Sequence, residues 1–224
     1  RADIPIRADA ALAADALSPL IDNANLDGEK RTGAANELLA DLDSKDYQDF
    51  LDCLQHSMPG AALYGDSTQP AYFAAAQYFP DEPRRFASAA TGYGTLGYAL
   101  PAAFGGALAL PDIPIISLIG DGGLQFTINE LSSGVEAQLS VAIVVWNNQR
   151  YEMIAQNFEA AGMAPIACDI HTPDFVAIAL GYGCRAFRAS TLGELEQLLV
   201  ESRRHSVPTL IEIQESDFLT GDKA

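Results

Sequence analysis

The chain has 224 residues, 49% of them hydrophobic, which is enough for one sizeable domain with a buried core and some remainder. Thirteen Lys and Arg against thirty Asp and Glu give a net charge of −17. That balance leaves no basic patch for nucleic acid and disfavours binding to an anionic membrane. Cys53, Cys168 and Cys184 stand far apart, outside any CxxC pattern, so neither a disulfide scaffold nor a zinc knuckle is expected, and reduced thiols in a cytoplasmic protein are the default.

In chain order, residues 1–20 read as a short strand (Ile4, Ile6) and an alanine-rich helix, which together cannot close a core. They are taken as the remnant of a preceding domain, and the start on Arg rather than Met as an unnatural beginning. Residues 21–45 are polar and charge-dense and read as a partly helical linker, with a domain from 46 to 224. Within it Tyr47–His56 has an amphipathic helical pattern, and Ala61–Tyr64 is a short strand running into GDSTQP. A helix follows over 70–78. RRFASAATGYGTLG makes a strand and a glycine loop, and YALPAAFGGALAL a helix of small residues. Next comes strand Ile115–Ile119, then a helix opened by Gly122 and Gly123 and carrying Leu124 to Gln138, then strand Val141–Trp146. After Met153 the chain reads as irregular, followed by helices near Asp174–Leu180 and Leu192–Arg203 and a last strand at Thr209–Gln214.

Strands that are continuously apolar (IPIISLI, VAIVVW) and alternate with helices predict an α/β fold. The expected form is a doubly wound, mostly parallel six-stranded sheet with helices on both faces. In such sheets ligands sit beyond the carboxyl ends of the strands, and GDST, TGYG, GDGG and NNQR all fall there. No H-E-x-x-H and no G-x-S-x-G is present, and residues 86–110, though uncharged, are too broken by Gly, Ser, Thr and Pro101 for a membrane span. The GDG aspartate, Asp121, and Asn148 of the WNN run each follow an apolar strand. A carboxylate and a carboxamide oxygen beside a glycine turn suit Mg²⁺ holding a diphosphate. Taken alone, Asp121 would read as a helix N-cap.

GDGG with the WNN doublet, and GYGTLGYALPAAFG upstream, resemble the cofactor-binding domain of thiamine-diphosphate-dependent 2-oxo acid decarboxylases and acetolactate synthases. The resemblance covers residues 45–224, and residues 1–20 are similar to the end of that family's central domain. It implies thiamine diphosphate and Mg²⁺ as cofactors. Asp121, Asn148 and the backbone carbonyl of Arg150 would be the metal ligands, and the N–H groups of Gly122 and Gly123 would hold diphosphate oxygens. Leu96 would wedge between the two rings of the cofactor, the Gly94 carbonyl would accept from its exocyclic amine, and Met153 and Gln156 would lie near its thiazolium. Ser67 and Thr68 match a turn that contacts the diphosphate, and equally read as caps for the following helix; Leu96 on periodicity alone reads as core, as does Trp146. Arg150 departs from the small residue usual in the family, placing charge and bulk at the mouth of the site, or else it is a solvated surface arginine.

The resemblance further implies a 2-oxo acid substrate and either decarboxylation or carboligation. It also implies an activating glutamate in a separate pyrimidine-binding domain of the same or a neighbouring subunit, and a homo-oligomer. No glutamate here is assignable to that role, so the chain is expected to bind cofactor without turning over. The group containing 5-guanidino-2-oxopentanoate decarboxylase is the nearest in look. Two alternatives stay open: a non-catalytic diphosphate-binding module of the same fold, and an NAD-type domain using the GxGxxG spacing of Gly92, Gly94 and Gly97.

Overall fold

A computed structural model describes residues 7–20 and 45–219. The chain divides into two compact units, Arg1–Asp43 and Ser44–Ala224. In the first, helix α1 (Ala10–Leu17) is capped by Asp9, whose carboxylate accepts from the N–H groups of Ala11 and Leu12. It buries no side chain of its own. The expected strand at Ile4 and Ile6 and nearly all of the expected linker lie outside the described residues.

The second unit runs α2 (Lys45–Ser57), β1 (Ala62–Gly65), α3 (Gln69–Gln77), β2 (Phe86–Ser88), α4 (Ala99–Ala109), β3 (Ile115–Gly120), α5 (Asp121–Thr127) and α6 (Glu130–Glu136). It continues with β4 (Val141–Asn147), α7 (Glu152–Ala160), α8 (Phe175–Tyr182), β5 (Arg185–Ala189), α9 (Leu192–Ser202), β6 (Thr209–Gln214) and the short α10 (Glu215–Phe218). The six strands form one sheet in the order β2-β1-β3-β4-β6-β5, and every pairing is parallel.

Both faces are covered, as a parallel sheet requires. On one face Ile116, Leu118, Val144, Trp146, Ile211 and Ile213 pack against α2, α3 and α9. On the other Ile115, Ile119, Val141, Ile143, Val145 and Leu210 pack against α4, α6 and α8. The period-2 alternation along β3 and β4 sends successive side chains to opposite cores, which is why those strands read as unbroken apolar runs. Trp146 is 1% exposed and sits amid Phe50, Tyr47 and Phe218, with ring centroids 5.1, 5.7 and 6.4 Å away.

The strand order positions the site. After β1 the chain enters α3 on the first face on its way to β2, and after β3 it enters α5 and α6 on the second face on its way to β4. Neighbouring strands whose connections diverge leave a crevice between them, the usual ligand position in an open parallel sheet. β3 pairs with β4 up to Gly120 opposite Trp146, so Asp121 and the Asn147–Asn148 pair leave adjacent strands at the same level.

Three expectations need correction. The single helix from Leu124 to Gln138 is two, because at Ile128–Asn129 the ladder tightens to i−3 bonds (Leu131 N–H to Ile128, Ser132 N–H to Asn129). There the Thr127 hydroxyl turns away to donate to the Gly97 carbonyl at 3.1 Å. The stretch after Met153 is irregular only beyond Ala160, its first part being helix α7; only Ala155 of that helix is buried, so it lacks the apolar stripe that marks a helix in sequence. The sixth strand, β5, went unrecognised: it is an edge strand with Arg185 and Arg188 on it, and it pairs only with β6. Arg185 stacks over Phe187 at 5.4 Å, and Arg188 bonds Glu212 at 3.0 Å and Asp174 at 2.7 Å.

Candidate functional site

A cleft opens at the β1/β3 crevice, bounded by the turns after β1, β3 and β4 and by the loop before α4. Of the sequence-predicted residues, Ser67, Thr68, Gly94, Leu96, Asp121, Gly122, Gly123, Asn148, Arg150 and Met153 all line it. Gln156 lies outside it on α7, where its side chain bridges Gln69 at 3.3 Å and Glu152 at 3.1 Å.

Asp121 is the first residue of α5 and is 2% exposed. It does not cap that helix: Gly120 holds the N-cap position, and the carboxylate reaches across to β4 and accepts the Gln149 N–H at 2.8 Å. Burial pushes its pKa up to about 6, against the pull of the Gly122 and Gln149 N–H groups. A buried carboxylate at the floor of a cleft is an oxygen donor that a cation would stabilise.

The two asparagines divide the work. Asn147 points inward and is 2% exposed; its Nδ2 donates to the buried Glu212 at 2.8 Å and its Oδ1 accepts from Gln149 at 3.2 Å, holding the turn in which Gln149 takes φ +57°. Asn148 faces the cleft. Its Nδ2 donates to Glu215 at 3.1 Å, which fixes the amide orientation and leaves Oδ1 on the side of the Arg150 N–H, 3.2 Å away. Glu215 is 5% exposed and takes a second donor, the Trp146 indole N–H at 2.8 Å.

Beyond the turn, residues 149–151 pair antiparallel with 168–170 through Ile170 N–H to Gln149 O and Tyr151 N–H to Cys168 O. These bonds flank Arg150, so its own carbonyl lies on the edge of the segment away from residues 168–170. The Arg150 guanidinium folds away onto Glu159, Glu152 and Asp169 at 2.9, 3.4 and 3.3 Å. The arginine is therefore neither free in solvent nor reaching into the floor.

At the glycine turn, a Cβ on Gly122 would lie 2.5 Å from the Tyr151 ring and 3.2 Å from Ile170, so only glycine lets the backbone approach there. Across the cleft Ser67 Oγ is buried with no hydrogen-bond partner, and Thr68 holds the N-cap position of α3 without a cap bond from its hydroxyl. Leu96 is half-buried, lines the cleft and belongs to neither core cluster. The loop that carries it turns at Gly97, with φ +81°, where a Cβ would press on Thr127 at 2.9 Å. A carboxylate, a carboxamide oxygen, a main-chain carbonyl, close-approach glycines and a partnerless hydroxyl make a donor set that fits a metal-bound diphosphate.

Four residues that hold this site together escaped the sequence reading: Asp66, Asn147, Glu212 and Glu215. Asp66 and Glu215 directly follow a strand, Asn147 ends β4 and Glu212 lies within β6; an acidic residue directly after an apolar strand was the available signal for Asp66 and Glu215. The glycines of GYGTLG, by contrast, follow β2, an edge strand, whereas a dinucleotide fingerprint follows a central one. Among the described residues the cysteines are free, no cluster of His, Cys, Asp and Glu forms a metal site, and no helix is long and apolar enough to cross a membrane.

Comparison with known proteins points to one family. The family model described as thiamine pyrophosphate enzyme, C-terminal TPP binding domain, matches residues 66–213. A probable 2-ketoarginine decarboxylase of Pseudomonas aeruginosa is 34% identical over 170 residues, 75% of this chain and 30% of that protein. The acetolactate synthase isozyme 3 large subunit of Escherichia coli is 36% identical over 144 residues, 63% of this chain and 25% of that one. Among solved structures, the thiamine diphosphate-dependent 4-hydroxybenzoylformate decarboxylase of Rhodococcus jostii RHA1 superposes with a TM-score of 0.68 at 29% identity, covering 75% of this chain and 32% of its own. The chain thus spans about a third or less of the length of these relatives.

Proposed function

We propose, since the chain belongs to the thiamine pyrophosphate enzyme family through its C-terminal TPP-binding domain, that its cleft anchors the diphosphate end of thiamine diphosphate through Mg²⁺ in an enzyme acting on 2-oxo acids. The carrying observation is the convergence of Asp121, Asn148 and Arg150 beside the Gly122–Gly123 turn in one cleft. When bound, thiamine diphosphate supplies the electron sink that lets a 2-oxo acid lose its carboxylate as CO₂.

The chain's own residues have the following parts. Asp121 and Asn148 present oxygens to Mg²⁺, with the Asn148 amide locked by Glu215. The N–H groups of Gly122 and Gly123 would donate to phosphate oxygens, and Ser67 would offer its unpaired hydroxyl from the facing wall. Leu96 would contact the cofactor's rings, the Gly94 carbonyl would accept from its exocyclic amine, and Met153 would lie on its thiazolium side. A glutamate activating the aminopyrimidine belongs to a pyrimidine-binding domain of the same or a neighbouring subunit. The chain associates with that domain and with copies of itself, and decarboxylation and carboligation are both open to the assembled enzyme.

The test is calorimetric titration of the chain with thiamine diphosphate, with and without Mg²⁺. Binding that requires Mg²⁺ supports the reading; binding indifferent to Mg²⁺ sinks the metal assignment. Incubated alone with 2-oxo acids, the pure chain is expected to release no CO₂ above background, and sustained turnover would show that the activating group lies within these residues. Gly122→Ala is expected to push the Tyr151 ring aside and weaken diphosphate binding about tenfold, or ~1.4 kcal/mol. Its unfolding midpoint should stay close to the parent's.

A further inference from the structure

Asp66, directly after β1, is 0% exposed and lies beside the cleft without lining it. Its partners are backbone N–H groups: Oδ1 accepts from Ser67 at 2.8 Å and from Gly97 at 3.2 Å, and Oδ2 accepts from Ala99 at 2.9 Å. Ala99 is the first residue of α4, so the carboxylate satisfies otherwise orphaned N–H donors of that helix from 33 residues away in sequence. A local Ser, Thr, Asp or Asn could cap α4 without reaching across the sheet.

The reach matters because of what lies on each side. Gly97 closes the loop that carries Gly94 and Leu96. On the other flank, a Cβ placed on Gly123 would fall 2.8 Å from Asp66 Oδ1, so the carboxylate is packed directly against the glycine turn. Ser67, whose hydroxyl is partnerless, is the residue next to it. One carboxylate therefore touches three walls of the cleft: the turn after β1, the Leu96 loop and the Gly122–Gly123 turn.

We propose that Asp66 is a positioning residue for thiamine diphosphate, fixing the Gly94–Leu96 loop against the glycine turn and so setting the spacing between the ring-contacting and diphosphate-contacting parts of the cleft. The inference rests on the reading of the cleft given above. Asp66→Asn keeps the shape but sets an amide NH₂ against backbone donors, which frees the loop. A ligand that spans both parts should feel this, and one confined to the diphosphate end should not.

The experiment compares thiamine diphosphate with inorganic diphosphate, both at saturating Mg²⁺, by calorimetry on the parent chain, Asp66→Asn, Leu96→Ala and the double variant. Asp66→Asn is expected to lower affinity for thiamine diphosphate about tenfold and for inorganic diphosphate less than about twofold, consistent with loss of a single charge-assisted bond. The double variant should bind thiamine diphosphate no more weakly than Leu96→Ala alone, since the two act through the same loop. Equal losses for both ligands, no loss for either, or additive losses in the double variant would each overturn the proposal. Should Asp66→Asn not fold, hydrogen exchange on the parent chain decides: the Gly97 and Ala99 amides gain protection with thiamine diphosphate but not with inorganic diphosphate, and equal protection by both overturns it. A parent chain that binds inorganic diphosphate and not thiamine diphosphate refutes the cofactor reading itself, a failure visible before any variant is made.

Discussion

Replacing Asp121 with alanine is expected to abolish Mg²⁺-dependent binding of thiamine diphosphate, a loss of at least about 100-fold or roughly 3 kcal/mol. The carboxylate is the charged member of the proposed ligand set and sits on the floor of the cleft. Calorimetric titration of the variant reads the result directly, and a Mg²⁺-dependent signal that survives would remove Asp121 from the metal site. The same carboxylate opposes folding when no cation is present. Its pKa is raised from 3.8 to about 6 by burial, so the folded state favours the protonated acid. The stability this protonation contributes is fully present below pH 3.8 and is lost as pH rises through about 6. Metal-free Asp121→Asn should therefore be more stable than the parent at pH 7, by up to about 3 kcal/mol, because each tenfold gain in proton affinity on folding is worth about 1.4 kcal/mol. That gain should vanish towards pH 4. Cofactor binding by the parent should weaken as the pH falls below about 6, when a proton competes with Mg²⁺ for Asp121.

The second large effect is expected at Trp146. Truncation to alanine empties the centre of the cluster with Phe50, Tyr47 and Phe218 and should cost about 3–5 kcal/mol, measured as a lowered urea midpoint. It also removes the indole donor from Glu215, which orients Asn148. Trp146→Phe separates the two roles: it keeps most of the ring volume but leaves Glu215 one donor short. The milder variant should lose about 1–2 kcal/mol of stability and still bind Mg²⁺ less tightly than the parent. Unchanged metal affinity in Trp146→Phe would show that Glu215 holds Asn148 without help from the indole.

The central sheet was legible because β3 and β4 are buried on both faces and therefore wholly apolar, with glycine and polar turns marking the rim. The cleft residues were legible because Asp121, Asn148 and the glycines are short motifs attached to those strands. Two elements were not legible. Helix α7 buries only Ala155, and β5 places Arg185 and Arg188 along an edge, so neither carries the apolar period that marks a helix or strand. The supporting carboxylates were hidden for a different reason. Asp66, Glu212 and Glu215 acquire their roles from partners 24 to 69 residues distant, and spacing along the chain does not reveal such pairs. Arg150 illustrates the same limit: the sequence placed its charge at the mouth of the cleft, and the acids of α7 and Asp169 draw it aside.

The outermost strands carry a consequence for the exposed edges of the sheet. A sheet edge offers unpaired backbone groups on which a neighbour can add a strand, and proteins guard against this with short strands and charged side chains. Here β2 has only three residues, while β5 bears Arg185 stacked on Phe187 and Arg188 tied to Glu212 and Asp174. Adding a strand at β5 would mean disturbing a cation–π contact and a half-exposed arginine's ion pairs, so sheet-to-sheet polymerisation is discouraged at that end.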